Sequence, residues 1–167
     1  MWPTLIAVLG TLAGAALASL TAHWTDRSAR AAEHRQRVLD ATGQLLAAVL
    51  AYREVYWFQI ANLRNGVPRT SEDVAALFRA RTVTTNAFDR LALTAADSAL
   101  LAVAAEAAWS AIELADIELS AVTGGQFSTT VEAALAAGRE RSRDAHTALR
   151  EAGVRYIHGA APIHGDG

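Results

Sequence analysis

The sequence predicts an all-α protein: an N-terminal single transmembrane helix, then an antiparallel bundle of about four helices, the first long enough to run on from the span. Three observations predict it. Residues 3–23 carry no charged side chain. Beyond them, apolar residues recur at spacings of three and four, the period of an amphipathic helix. The clearest breakers fall at Asn65–Arg69 and Gly124–Ser128, dividing the rest into helix-sized pieces. The boundaries expected are a membrane anchor over 1–24, a helical bundle over 25–157 and a flexible tail over 158–167.

The anchor comes first. At about 1.5 Å per residue, the run from Pro3 to His23 spans roughly 31 Å, the hydrocarbon thickness of a bilayer. Trp2 and Trp24 bracket it, where indoles favour the membrane–water interfaces. A cleaved signal is the rival reading, since Ala16-Leu17-Ala18 resembles a cleavage box, but the apolar run is long and no basic residue precedes it. Arg27, Arg30, Arg35 and Arg37 follow the span at once, and the positive-inside bias then puts the N-terminus outside and the bundle in the cytoplasm. Trp2, Trp24, Arg27 and Arg30 are the expected membrane-interface residues. Gly10, Gly14 and Ala18, four apart on one helix face, form a small-residue groove where a second helix backbone can approach.

The bundle follows in order. Val38, Thr42, Leu45, Val49, Tyr52, Tyr56 and Leu63 give the first helix its apolar stripe, widened by Leu46, Leu50, Trp57 and Ile60. Gly66 and Pro68 end it. The second helix starts at Thr70 or Ser71, with Glu72 and Asp73 favouring its positive end, and presents Val74, Leu77, Phe78, Phe88 and Leu91. Thr94 to Asp97 reads as a capping box opening a third helix over 97–122. Its Glu106, Glu113, Asp116 and Glu118 argue against a second span, because four carboxylates in lipid are costly. Thr129 to Glu132 caps the last helix, expected to end near Gly153.

Little in the chain points to chemistry. All 15 basic residues are arginine, there is no cysteine, and the net charge of −2 argues against a nucleic-acid-binding domain. No HExxH, glycine-rich phosphate loop or paired ExxH motif is present. The expectation is a protein without catalytic residues, cofactor, metal or small-molecule substrate. Glu113 and Asp116, three apart on one helix face, read as a solvated stripe or as partners for arginine on a neighbouring helix. Arg139, Arg141 and Arg143, interleaved with Glu140 and Asp144, read as a solvated face. His34 and His146 read as surface residues, and His158 and His164 as tail residues. Among the aromatics Tyr52, Tyr56, Trp57 and Phe58, the last points away from the core.

The opening Leu5–Ser19, the Arg/Glu/His/Gln-rich helix after it and the alanine-rich helical body together resemble the KilB-type small membrane proteins of streptomycete conjugative plasmids, most closely over residues 5–60. The resemblance implies a membrane-bound protein associated with intramycelial spread of plasmid DNA, and it brings no catalytic residues. The expected partners are the lipid bilayer and either a second copy or another membrane or cytoplasmic protein. The reading is therefore a membrane-anchored interaction protein; the alternative is a membrane-perturbing or toxic protein acting through oligomers of its span.

Overall fold

α1 (Trp2–Arg64), α2 (Ser71–Thr94), α3 (Ser98–Ile112) and α4 (Thr129–Gly159), with a 3₁₀ turn at Glu113–Asp116, make up the regular structure, and no strand forms among the described residues. In this computed structural model the backbone is described for residues 2–159 and the side chains for residues 25–157. The chain divides into two compact units, Met1–Arg37 and Val38–Gly167. The side chains of Trp2, Gly10, Gly14, Ala18 and Trp24 lie outside the described set. One described segment, Ser98–Asp116, is long and apolar enough by length and composition to cross a bilayer.

In the first unit, Thr25–Arg37 is exposed apart from a half-buried Arg35. Arg30 pairs with Asp26 one turn back at 3.5 Å, and Arg37 Nε donates to the Glu33 carbonyl.

The second unit is an antiparallel bundle, and side-chain contacts fix its pairings. Thr84 Oγ1 donates to the Ala48 carbonyl, Arg90 to Gln44, and Gln59 to the Asp73 carbonyl, so α1 and α2 run in opposite directions. Arg64 meets Glu132 and Trp57 meets Arg139, which sets α4 antiparallel to α1. Phe88 lies against Trp109 with ring centroids 6.1 Å apart, tying α2 to α3. Alanines dominate the larger core cluster, with Ala104, Ala107, Ala108 and Ala111 of α3 wholly buried around Leu45, Tyr52 and Leu149. Small side chains let helix backbones come close, and close packing maximises dispersion contact. A second cluster gathers Tyr56, Ile60, Leu114, Phe127, Val131 and Leu135.

The helix ends follow from local chemistry. Gly66 takes φ +77°, its N–H bonds the Leu63 carbonyl, and Val67 N–H reaches back to Asn62, a Schellman closure before Pro68. Thr70 and Asp73 form a reciprocal capping box at the start of α2. Gly124 and Gly125 both adopt positive φ between Thr123 and Gln126, whose backbones pair at 2.9 and 3.2 Å, as a tight two-residue turn requires.

Three expectations are corrected. Thr94 ends α2, its hydroxyl donating to the Arg90 carbonyl, and Asp97 alone caps α3 by accepting from Ala99 and Leu100 N–H. The helix expected to run to residue 122 stops at Ile112 and tightens into the 3₁₀ turn. Leu114 is buried there and Ala115 is exposed. α4 passes through Gly153 and continues to Gly159. Gly153 is a packing position: a Cβ there would sit 3.4 Å from Thr42 Cγ2. Gly138 is tighter still, since its Cβ would meet Leu114 Cδ2 at 2.7 Å.

Candidate interaction surfaces

The charged residues of the bundle mostly join helices to one another. Arg141 of α4 reaches two carboxylates, Glu106 at 2.9 Å and Glu113 at 2.7 Å, and this double pairing holds its guanidinium more firmly protonated. Glu113 is thus an arginine partner, one of the two readings its position in the sequence allowed, while Asp116 makes no ion pair with a described residue. The expected solvated face of Arg139, Arg141 and Arg143 is only partly that. Arg143 pairs with Glu140 within its own helix, but Arg139 lies over the Trp57 ring at 4.2 Å.

A polar and aromatic clasp closes the upper end of the bundle. Arg64, at the end of α1, bonds Glu132 in the first turn of α4 and lies 5.8 Å from the centre of the Phe127 ring. Glu132 also accepts from the Phe127 N–H, and that bond, followed by Arg64, holds its carboxyl below the usual range. Asp73 is lowered likewise, first by the Thr70 N–H and then by the Thr70 hydroxyl. Burial pushes the Tyr52 and Tyr56 phenols up to about 12. His146 is half-buried; burial lowers its pKa, against a hydrogen bond to the Leu46 backbone. It is a contact residue between α4 and α1, where the sequence suggested a surface one.

What is left to meet a partner is the outer face. Phe58 is 64% exposed, as its offset from the Tyr56 face predicts. α2 leaves Val74, Phe78, Val83 and Leu93 exposed. Arg27 and Arg30, expected near the membrane interface, are both exposed, Arg30 in its pair with Asp26. Among the described residues no group of three or more histidines and carboxylates is placed to hold a metal ion. The Arg64–Glu132 and Arg139–Trp57 contacts were not foreseen, because their partners are 68 and 82 residues apart in sequence and only the antiparallel pairing joins them.

The bundle is also the part of the chain that comparison recognises. The family model described as KilB plasmid transfer protein matches residues 39–157. This chain belongs to the KilB family. The match begins one residue after the boundary of the second unit and runs through nearly all of α4, so the family is defined here by the bundle. Protein KilB of Streptomyces lividans is 44% identical over 57 residues, which make up 34% of this chain and 39% of that protein. The aligned part therefore spans well under half of the curated relative. No solved structure matches.

Proposed function

We propose that this KilB-family chain acts in plasmid spread as a membrane-anchored helical interaction protein. Residues 1–24 hold it in the bilayer with the N-terminus outside, and the bundle presents its outer faces to partners in the cytoplasm. It does no catalysis of its own. The observation that carries the reading is the agreement between the segment the family model matches and the packed bundle, 39–157 against Val38–Gly167. The uncharged run of residues 3–23 and the four arginines after it support the anchor and its orientation.

The test is a plasmid whose copy of the gene encodes either the full chain, a chain lacking residues 2–24, or a chain with that segment replaced by an unrelated single span. Full-length protein should stay with membranes through alkaline extraction. Plasmid spread through recipient mycelium should fail with the truncated chain while its bundle remains helical. Restored spread by the truncated chain, or a full chain released by alkali, would overturn the reading. The replacement span separates anchoring from self-association. If Gly10, Gly14 and Ala18 form a contact face, replacing Gly10 and Gly14 with Leu leaves insertion intact and abolishes cross-linked pairs. Growth arrest caused by residues 1–30 alone would favour the membrane-perturbing alternative.

A further inference from the structure

We propose that the bundle holds a small-molecule site between α1, α2 and the 3₁₀ turn, suited to a monoanion with an apolar body, such as an aryl-alkyl carboxylate. A cavity of about 300 Å³ opens there, at the small end of the range of ligand pockets and large enough for one ring and a short chain. The Tyr52 ring of α1 lines it. α2 contributes Val74, Leu77, Phe78 and Arg81, spaced as neighbours on one helix face. Arg69, from the segment before α2, and Asp116, from the 3₁₀ turn, complete the wall.

The arginines decide the ligand's charge. Arg69 and Arg81 come from different segments yet line the same cavity, and neither side chain makes an ion pair or hydrogen bond with a described residue. Elsewhere in the bundle arginine is typically committed: Arg64, Arg79, Arg90, Arg141 and Arg143 each hold a side-chain partner. The charges of Arg69 and Arg81 both reach the Tyr52 phenol. Arg69 also acts on Tyr56, whose buried hydroxyl has no hydrogen-bond partner. Two guanidinium groups bordering one space can hold a carboxylate from two sides, the arrangement in which arginine recognises anions best. Asp116 opposes a second negative charge, so the site favours a monoanion over a phosphate dianion.

The apolar body follows from the same wall. Phe78 is 61% exposed and Val74 38% exposed, both lining the cavity. The Tyr52 hydroxyl already donates to the Ile112 carbonyl at 3.2 Å, so its remaining contribution is the ring face and a lone pair. An apolar group seated there would take Phe78 and Val74 out of water.

The experiment is saturation-transfer difference NMR on the full-length chain in lipid nanodiscs, with 3-phenylpropanoate as probe and empty nanodiscs subtracted. Saturable transfer to the ring protons is expected. Arg69→Gln or Arg81→Gln should weaken it about tenfold each, the loss of one charge-assisted contact. Phe78→Ser should weaken it from the apolar side. Arg79→Gln, on the same helix but paired with Glu72, should leave binding unchanged. 3-Phenylpropanol and phenyl phosphate should both bind at least about tenfold more weakly than the carboxylate. No saturable transfer, equal binding of the alcohol, or full binding by the Arg69→Gln, Arg81→Gln double variant with native helicity would each overturn the proposal.

Discussion

α3 buries Leu100, Ala104, Ala107, Ala108, Ser110, Ala111 and Ile112 within 15 residues, whereas α2 buries Thr84 and Leu91 within 24. The two helices are neighbours in one bundle, yet different physics holds each. α3 is fixed by close apolar packing on several sides. α2 is hung on α1 by polar hooks, Thr84 to the Ala48 carbonyl, Arg90 to Gln44 and Gln59 to the Asp73 carbonyl. Hydrogen bonds of this kind contribute about 1 kcal/mol each, less than a buried aliphatic side chain. Local opening free energies differ across a fold in the same way, so α2 should be the wall of the bundle that opens first. It also carries four exposed large apolar residues, Val74, Phe78, Val83 and Leu93, and borders the arginine-lined cavity.

The comparison breaks most sharply at Leu114. Its side chain is 1% exposed and fills the space that Gly138 leaves open on α4. Leu114→Ala removes that packing and leaves a void, a loss expected at about 2–5 kcal/mol in thermal or urea unfolding. A loss under 1 kcal/mol would mean the seam between the 3₁₀ turn and α4 is looser than the close approach at Gly138 implies. Next in size is Tyr52→Phe, which takes away the donor to the Ile112 carbonyl and should cost about 1 kcal/mol while leaving helicity unchanged. The effect should appear as faster amide exchange at the end of α3 and not along α2.

Much of this architecture is legible in the sequence, and the limits are specific. The stripe from Val38 to Ile60 is readable because apolar residues recur every third or fourth position, and α1 buries Val38, Leu45, Val49, Tyr52, Tyr56 and Ile60, although Leu50, expected to widen the stripe, is exposed. Asn65–Arg69 is readable because Gly66 and Pro68 leave the chain few alternatives. Asp97, by contrast, is not separable in the sequence from a box starting at Thr94, since both residue types cap helices and only tertiary pairing places the end of α2. The stop at Ile112 is hidden for another reason. Glu113 to Asp116 is a good helix sequence, and the 3₁₀ turn it forms buries Leu114 and exposes Ala115, a choice set by tertiary packing. Arg69 and Arg81 were passed over, although Arg81 continues the spacing of Val74, Leu77 and Phe78; a basic residue on an apolar stripe was the available signal. The Gly10, Gly14 and Ala18 face rests on spacing alone.

Acid offers a finer comparison, because each of the two helices α2 and α4 begins with a carboxylate held below its usual pKa, Asp73 and Glu132. A carboxylate lowered in the folded state adds stability above its unfolded pKa and loses it as pH falls through the folded value. His146, lowered by burial, works in the same direction: its contribution is whole above the ordinary value of 6.5 and declines below it. Stability should therefore fall in two stages on acidification, first with His146 and then with the carboxylates. Asp73→Asn should speed amide exchange in α2 alone at neutral pH. Glu132→Gln should lower the global unfolding transition, because it breaks the clasp between α1 and α4. Equal effects of the two variants on global unfolding would place α2 within the same cooperative unit as α3.

The smallest expected effect tests the outer face of α2. Leu93 is 90% exposed, and nothing among the described residues covers it. Single exposed leucines are ordinary on protein surfaces, and surface substitutions generally change stability by no more than about 0.5 kcal/mol. Leu93→Gln should therefore leave the unfolding midpoint of the chain where it was. If the same substitution costs about 1 kcal/mol or more, and the cost grows with protein concentration, the leucine is covered in solution by a second copy. The exposed row of α2 would then be an assembly surface, and the looseness of the helix would belong to the isolated chain only.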